Sequence, residues 1–357
     1  MLKTGCRFVS VLLLILFLLP TALPAASGKP VVVILATGGT IAGSGSSEVT
    51  TIGYKAAVFK VEQLISAVQS LKNLADVRGE QLFQIASENI TPDHWLKLAR
   101  RVNAVLAEKD VNGVVITHGT DTLEETAWFL NLTVKSSKPV VLVGSMRPAT
   151  AISADGPINL YNAVAIAASP ASRGKGVLVT LNDRISGARD VTKTNTFTAD
   201  TFNSRDLGEL GYIQLGVPVY YRLPFRRHTL CSEFSVEKLE TLPVVDIFYG
   251  YGGSNRDAVD RAVAAGVQGI VHAGTGNGSL SDSTKAGLAD AVKKGVFVVR
   301  ASRTGSGIVT RNGEVRDDDY GFVTADNLSP QKARILLMLG LTVTKDAKKL
   351  QEMFGRY

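Results

Sequence analysis

The sequence predicts an α/β protein with a larger N-terminal domain on a parallel sheet and a smaller C-terminal α/β domain. Three observations predict it. Short Val/Ile-rich runs alternate with helical patterns along most of the chain. Those runs are almost continuously apolar, as strands covered on both faces must be. The 357 residues also match the length of about two domains, each able to bury its own core. Strand–helix–strand repetition then implies parallel strands joined by right-handed crossovers.

Strands are expected at Val31–Thr37, Gly113–Thr117, Pro139–Gly144, Gly176–Leu181, Val244–Tyr249, Gly269–Ala273 and Val296–Ala301. Helices are expected between them. Thr91-Pro92-Asp93 reads as an N-cap followed by proline at the first helical position, with the helix running to about Glu108. Thr122-Leu-Glu-Glu125 has the capping-box pattern, so another helix should begin there. Asp155–Ala168, Asp257–Ala265, Ser283–Lys294 and Pro330–Leu339 complete the set. From about Leu207 to Leu242 the alternation falters among glycines and prolines, and the stretch reads as a linker. The layout is therefore a domain at 27–220, a linker at 221–241 and a domain at 242–357.

Composition narrows the function. The chain is 45% hydrophobic and 20% charged, which excludes a disordered or collagen-like protein. Its 39 basic and 32 acidic residues leave a mild excess, in short clusters such as Arg226-Arg227-His228, which gives little support to nucleic-acid binding. Lys3 and Arg7 precede an apolar run, Phe8–Leu19, then Pro20 and small residues through Ser27. That is the pattern of a secretory signal peptide at 1–26, and the run is too short to span a bilayer. Cleavage removes Cys6 and lowers the formal charge from +7 to +5. Cys231 then remains alone, so an intramolecular disulfide is impossible. The expected compartment is the periplasm, with no membrane attachment after cleavage.

In open α/β sheets chemistry gathers where strands end. Two strand ends look alike: Thr37-Gly-Gly-Thr40-Ile-Ala-Gly43 and His118-Gly-Thr120-Asp121-Thr122. Each sets glycine, which permits a tight turn and close approach, beside threonine. Thr120 and Asp121 fall at a helix start, where free N–H groups stabilise negative charge. A threonine hydroxyl needs a base to act as a nucleophile. Asp121 can serve Thr120 through Lys193, if the fold brings that lysine near. No dinucleotide fingerprint, P-loop or G-x-S-x-G motif occurs, the four histidines lack metal-ligand spacing, and no cofactor is expected. Asp317-Asp318-Asp319 reads as a solvated loop.

With Gly144-Ser-Met-Arg-Pro148, Ser153-Ala-Asp-Gly-Pro-Ile-Asn-Leu160 and Arg189-Asp-Val-Thr-Lys-Thr-Asn-Thr196, these motifs make the chain resemble the type II (periplasmic) L-asparaginases. The resemblance implies hydrolysis of a side-chain amide through an acyl-enzyme. By the same resemblance Thr40 is the nucleophile, Tyr54 the flap tyrosine that helps activate it, and Thr120, Asp121 and Lys193 a second triad. Ser87, Glu88 and Asp121 hold the substrate's α-carboxylate and α-amine, and the Ser145 carbonyl receives the amide. Ser279 and Glu314 match residues supplied by a neighbouring subunit of a homotetramer. Asparagine-selective members carry glutamine, asparagine and valine where this chain has Glu88, Ser279 and Ala56, so the resemblance is to the glutaminase-asparaginase branch, with an asparagine-selective enzyme as the alternative. A periplasmic amino-acid binding protein would share export and a polar pocket without needing Thr40, Tyr54, Thr120 and Lys193 together.

Overall fold

The computed structural model describes residues 28–357; the stretch expected as a signal peptide, with Cys6, lies outside the described residues. Its strands are β1 (Val31–Gly38), β2 (Asp76–Ile85), β3 (Val111–Thr117), β4 (Val140–Val143), β5 (Val177–Leu181), β6 (Arg184–Gly187), β7 (Thr192–Lys193), β8 (Phe202–Asn203), β9 (Gly211–Gln214), β10 (Val217–Tyr220), β11 (Val245–Tyr249), β12 (Gly269–Gly274), β13 (Phe297–Ser302) and β14 (Val323–Thr324). The helices are α1 (Val61–Ala67), α2 (Leu71–Leu74), α3 (Pro92–Ala107), α4 (Leu123–Thr133), α5 (Gly156–Ala168), α6 (Asp257–Ala264), α7 (Asp282–Lys293), α8 (Asp317–Tyr320), α9 (Pro330–Val343) and α10 (Ala347–Arg356).

The large sheet has the order β10-β9-β6-β5-β4-β3-β1-β2. β2 through β5 pair in parallel with β1 in their midst, as the alternation predicts. β6, β9 and β10 extend that sheet antiparallel, so it is mixed rather than purely parallel. The early part of the segment expected as linker is thus sheet: its Gly216, at φ +77°, turns the β9–β10 hairpin. β7 and β8 form a separate two-stranded ribbon, and β11-β12-β13-β14 form the small parallel sheet.

β2 has no counterpart among the expected strands. It pairs with β1 alone, at the edge of the sheet, and its Asp-Val-Arg-Gly-Glu-Gln sequence carries polar side chains into solvent. α3 begins as its cap predicts: the Thr91 hydroxyl accepts from the His94 N–H, and Pro92 opens the first turn. The capping box expected at Thr122 does not form. α4 does begin there, but the Thr122 hydroxyl donates to the Ser87 carbonyl at 2.7 Å instead.

One face of the large sheet packs on α1, α2 and α5. The other carries α3 and α4, and its apolar cluster continues without a break into the small domain through α9, β11, β12, β13 and α10. The two domains therefore share one cluster, while each also buries its own: the large domain on its α1, α2 and α5 face, and the small domain between β12, β13, α6 and α7. α9 lies at the junction, with the Trp128 indole N–H of α4 donating to the Lys332 carbonyl at 3.1 Å. Cys231, in a single 3-10 turn at Thr229–Cys231, is exposed.

Candidate active site

The ends of β1, β2 and β3 meet at glycines. Gly38 and Gly39 sit at φ +111° and +82°, a region closed to most side chains. A Cβ on Gly39 would lie 2.3 Å from the backbone of Gly119, and one on Gly119 would lie 2.6 Å from the Ser87 hydroxyl. Three strand-end turns can touch only because these positions are bare, which accounts for the glycines in both threonine motifs.

Around that contact is a cavity of about 440 Å³. It is lined by Thr40, Tyr54 and Ala56 from the first turn and flap, Ser87 and Glu88 from the turn after β2, and Gly119, Thr120 and Asp121 from the turn after β3. Met146, Lys193, Thr196 and Phe197 close it. The Thr40 and Tyr54 hydroxyls are 2.7 Å apart. Lys193 Nζ donates to Thr120 Oγ1 at 2.9 Å and to Asp121 Oδ1 at 2.6 Å. The fold thus brings Lys193 to Thr120 from a segment more than seventy residues away. Thr40 and Thr120 are only 6% and 5% exposed, while the Asp121 side chain is 62% exposed. At Thr120 a shielded hydroxyl beside a charged, wetter pair can pass its proton without leaving a charge stranded in the interior.

Ser145 is fully buried, its hydroxyl donating to the Arg147 carbonyl at 2.7 Å; its neighbour Met146 is the residue that lines the cavity. Ser279 and Glu314 do not reach this cavity. Both are on the small domain, where the Arg300–Asp317 pair fixes their loops. Arg300 and Asp317 are fully buried, with bonds of 2.5 and 2.8 Å between them. Arg300 also donates to the carbonyls of Gly278 and Thr310, and Asp317 accepts from the Asn312 N–H. Asp317 is therefore a buried ion-pair partner and not part of a solvated loop.

His118 serves the site from beneath. The Gly119 carbonyl, 2.7 Å away, can only accept, so Nδ1 carries the proton. Nε2 accepts from the Thr126 hydroxyl at 2.9 Å, which accepts in turn from the Trp95 indole N–H. Burial pushes the His118 imidazole down to about 4, against the pull of its bond to Gly119, so it is a neutral prop for the Thr120 turn. Among the described residues no group of three or more His, Cys, Asp or Glu side chains is arranged to hold a metal ion. Glu124 escaped the sequence reading. Its buried carboxylate accepts from the Lys193 backbone N–H at 3.0 Å, and two adjacent acids at a helix start gave no hint of it.

Residues 31–225 match the family model described as "Asparaginase, N-terminal", and 244–354 match "Glutaminase/Asparaginase C-terminal domain". The chain belongs to the asparaginase family. Among its relatives, L-asparaginase 2 of Bacillus subtilis is 56% identical over 92% of this chain and 87% of that protein. A glutaminase-asparaginase of Pseudomonas fluorescens biotype A is 53% identical over 91% and 90%. The crystal structure of a probable cytoplasmic L-asparaginase from Campylobacter jejuni superposes with a TM-score of 0.90 at 48% identity, covering 92% of this chain and all of that one. The mixed α/β architecture, with its large N-terminal and small C-terminal sheets, is thus that of an asparaginase family member, and the protein is an amidohydrolase.

Proposed function

We propose that this asparaginase family member hydrolyses both L-asparagine and L-glutamine, giving aspartate or glutamate and ammonia through a threonine acyl-enzyme. One observation carries the reading. Two buried threonine hydroxyls from different strand ends border one cavity, each within hydrogen-bond distance of its own proton-handling partner. The Thr40 oxygen attacks the amide carbonyl carbon, and its proton leaves through Tyr54. The C–N bond then breaks, and the nitrogen takes up a proton and departs as ammonia. A water molecule attacks the resulting ester, its proton passing along Thr120, Lys193 and Asp121. The ester bond breaks, and Thr40 recovers its proton.

Glu88 and Asp121 face the α-ammonium and Ser87 the α-carboxylate, while the Ser145 carbonyl receives the amide. A substrate lacking either end group leaves these partners unpaired, which penalises it strongly. Ala56 on the flap leaves room for the extra methylene of glutamine, worth about 1 kcal/mol. The enzyme works as a homotetramer in which Ser279 and Glu314 of one protomer complete the cavity of another. The leader directs it to the periplasm, where N-terminal sequencing should find a start near Ala25–Ser27; recovery of uncleaved chain from the cytoplasm refutes export.

Ammonia release from each amide tests the reading. The wild type should turn over both at comparable rates, and Thr40→Ala should lose about a thousandfold or more. Full activity in Thr40→Ala removes the nucleophile. Glutamine turnover below a few per cent of that on asparagine selects the asparagine-specific alternative.

A further inference from the structure

Lys332 is a buried cation that the reaction above does not use. It is 2% exposed, and burial lowers its pKa to about 8, against the pull of Glu124 and Asp190. It also sits in the first turn of α9, where the helix dipole disfavours a positive charge. A residue with two local penalties has some compensating contact. Its Nζ donates to two backbone carbonyls, Arg189 at 2.9 Å and Val191 at 2.5 Å. These belong to the segment that ends in Lys193.

From the other side the same segment is held by Glu124. One carboxylate oxygen accepts from the Lys193 N–H, and the other accepts from Gln331, the residue before Lys332. Glu124 and Trp128 are four residues apart on α4 and so share a face. Both meet the start of α9, since Trp128 donates to the Lys332 carbonyl. The strap carrying Lys193 is thereby clamped between one helix of the large domain and one that packs on the small sheet.

We propose that Glu124 and Lys332 are positioning residues for the reaction: together they fix the backbone of Arg189–Lys193 so that Lys193 Nζ meets both Thr120 and Asp121. This rests on the chemical role given to Lys193 above. Neither residue touches the cavity, so each acts on turnover through Lys193 alone.

The test compares Lys332→Met, Glu124→Met, Glu124→Gln, Lys193→Met and Leu337→Ala with wild type. Each is measured for kcat and KM on asparagine and for Tm. Leu337 is fully buried on the same helix, against β12, and controls for loss of packing. Methionine matches lysine in length but cannot donate to the Arg189 and Val191 carbonyls, and in place of Glu124 it cannot accept from the Lys193 N–H. Lys332→Met and Glu124→Met should therefore lose tenfold or more in kcat, with KM within threefold. Lys332→Met should lower Tm by no more than Leu337→Ala does. Glu124→Gln, which retains one acceptor for the Lys193 N–H, should fall between Glu124→Met and wild type. Leu337→Ala should lower Tm and leave kcat within twofold.

If Lys332→Met does not fold, the two Glu124 variants decide. If the methionine variants keep kcat within twofold while Lys193→Met is dead, the clamp is irrelevant to turnover and the proposal is overturned. An active Lys193→Met removes the role of Lys193 itself, and the proposal falls with it. If Leu337→Ala loses kcat as the others do, destabilisation explains all of them, which also overturns it.

Discussion

His118 shows how a residue outside the cavity conditions it. Its neutral tautomer is fixed by Gly119 on one side and Thr126 on the other. Charging it forces the Thr126 hydroxyl to give up its acceptor in a dry interior. The sign of the resulting pH effect follows. The unfolded chain binds a proton at this histidine near pH 6.5, and the folded one only near 4, so stability is full above 6.5 and falls as pH drops toward 4. The change is of the order of 3 kcal/mol. Glu125, which burial raises to about 7, acts with the opposite sign over much of the same window, and His272, also held down to about 4, acts with the same sign. The contribution of His118 is therefore best read as a difference. The stability advantage of wild type over His118→Asn should shrink by about 3 kcal/mol between pH 7 and pH 4 in denaturant titrations. A constant difference would show that the imidazole titrates normally.

Between elements, the informative contact is the Thr122 hydroxyl on the Ser87 carbonyl. It ties the turn after β3 to the turn after β2, and these turns carry the groups read as binding the two ends of the substrate. Thr122→Val should raise KM for asparagine five- to tenfold with kcat little changed, at a stability cost of about 1 kcal/mol. Michaelis–Menten measurements and a thermal melt check both; an unchanged KM would mean that the two turns hold their places without this bond. The strands β1, β3, β4 and β5 were legible because both faces are buried, and α3, α5, α6, α7 and α9 because their caps, prolines and apolar periods agree with one another. β2, β9 and β10 were not, since edge and hairpin strands carry polar residues, glycine and proline that read locally as loop. α10 was missed in a polar stretch with Lys348, Lys349, Glu352 and Arg356, although Leu350, Met353 and Phe354 make one buried face. The residues around the cavity were legible through glycine–threonine motifs and family resemblance. Glu124, Gln331 and Lys332 were not, because their use depends on pairings between 69 and 207 residues apart.

Across the whole molecule, one apolar cluster runs from β1 and α4 through α9 to α10, so unfolding either domain exposes surface that the other buries. Denaturation should therefore give a single transition by fluorescence and by circular dichroism at matched protein concentration. Separate transitions would mean that the shared cluster contributes little. The gap between the two family-model matches, from 225 to 244, is where a protein engineer would cut and recombine homologous genes. Every residue proposed to handle a proton comes from upstream of that cut, which makes the N-terminal piece look like a portable module. It is not one, because the strap that aims its lysine is held from α9, downstream. Chimeras that swap the small domain among homologues must inherit Glu124, Gln331 and Lys332 as a set. Hybrids that break the set should fold yet turn over slowly.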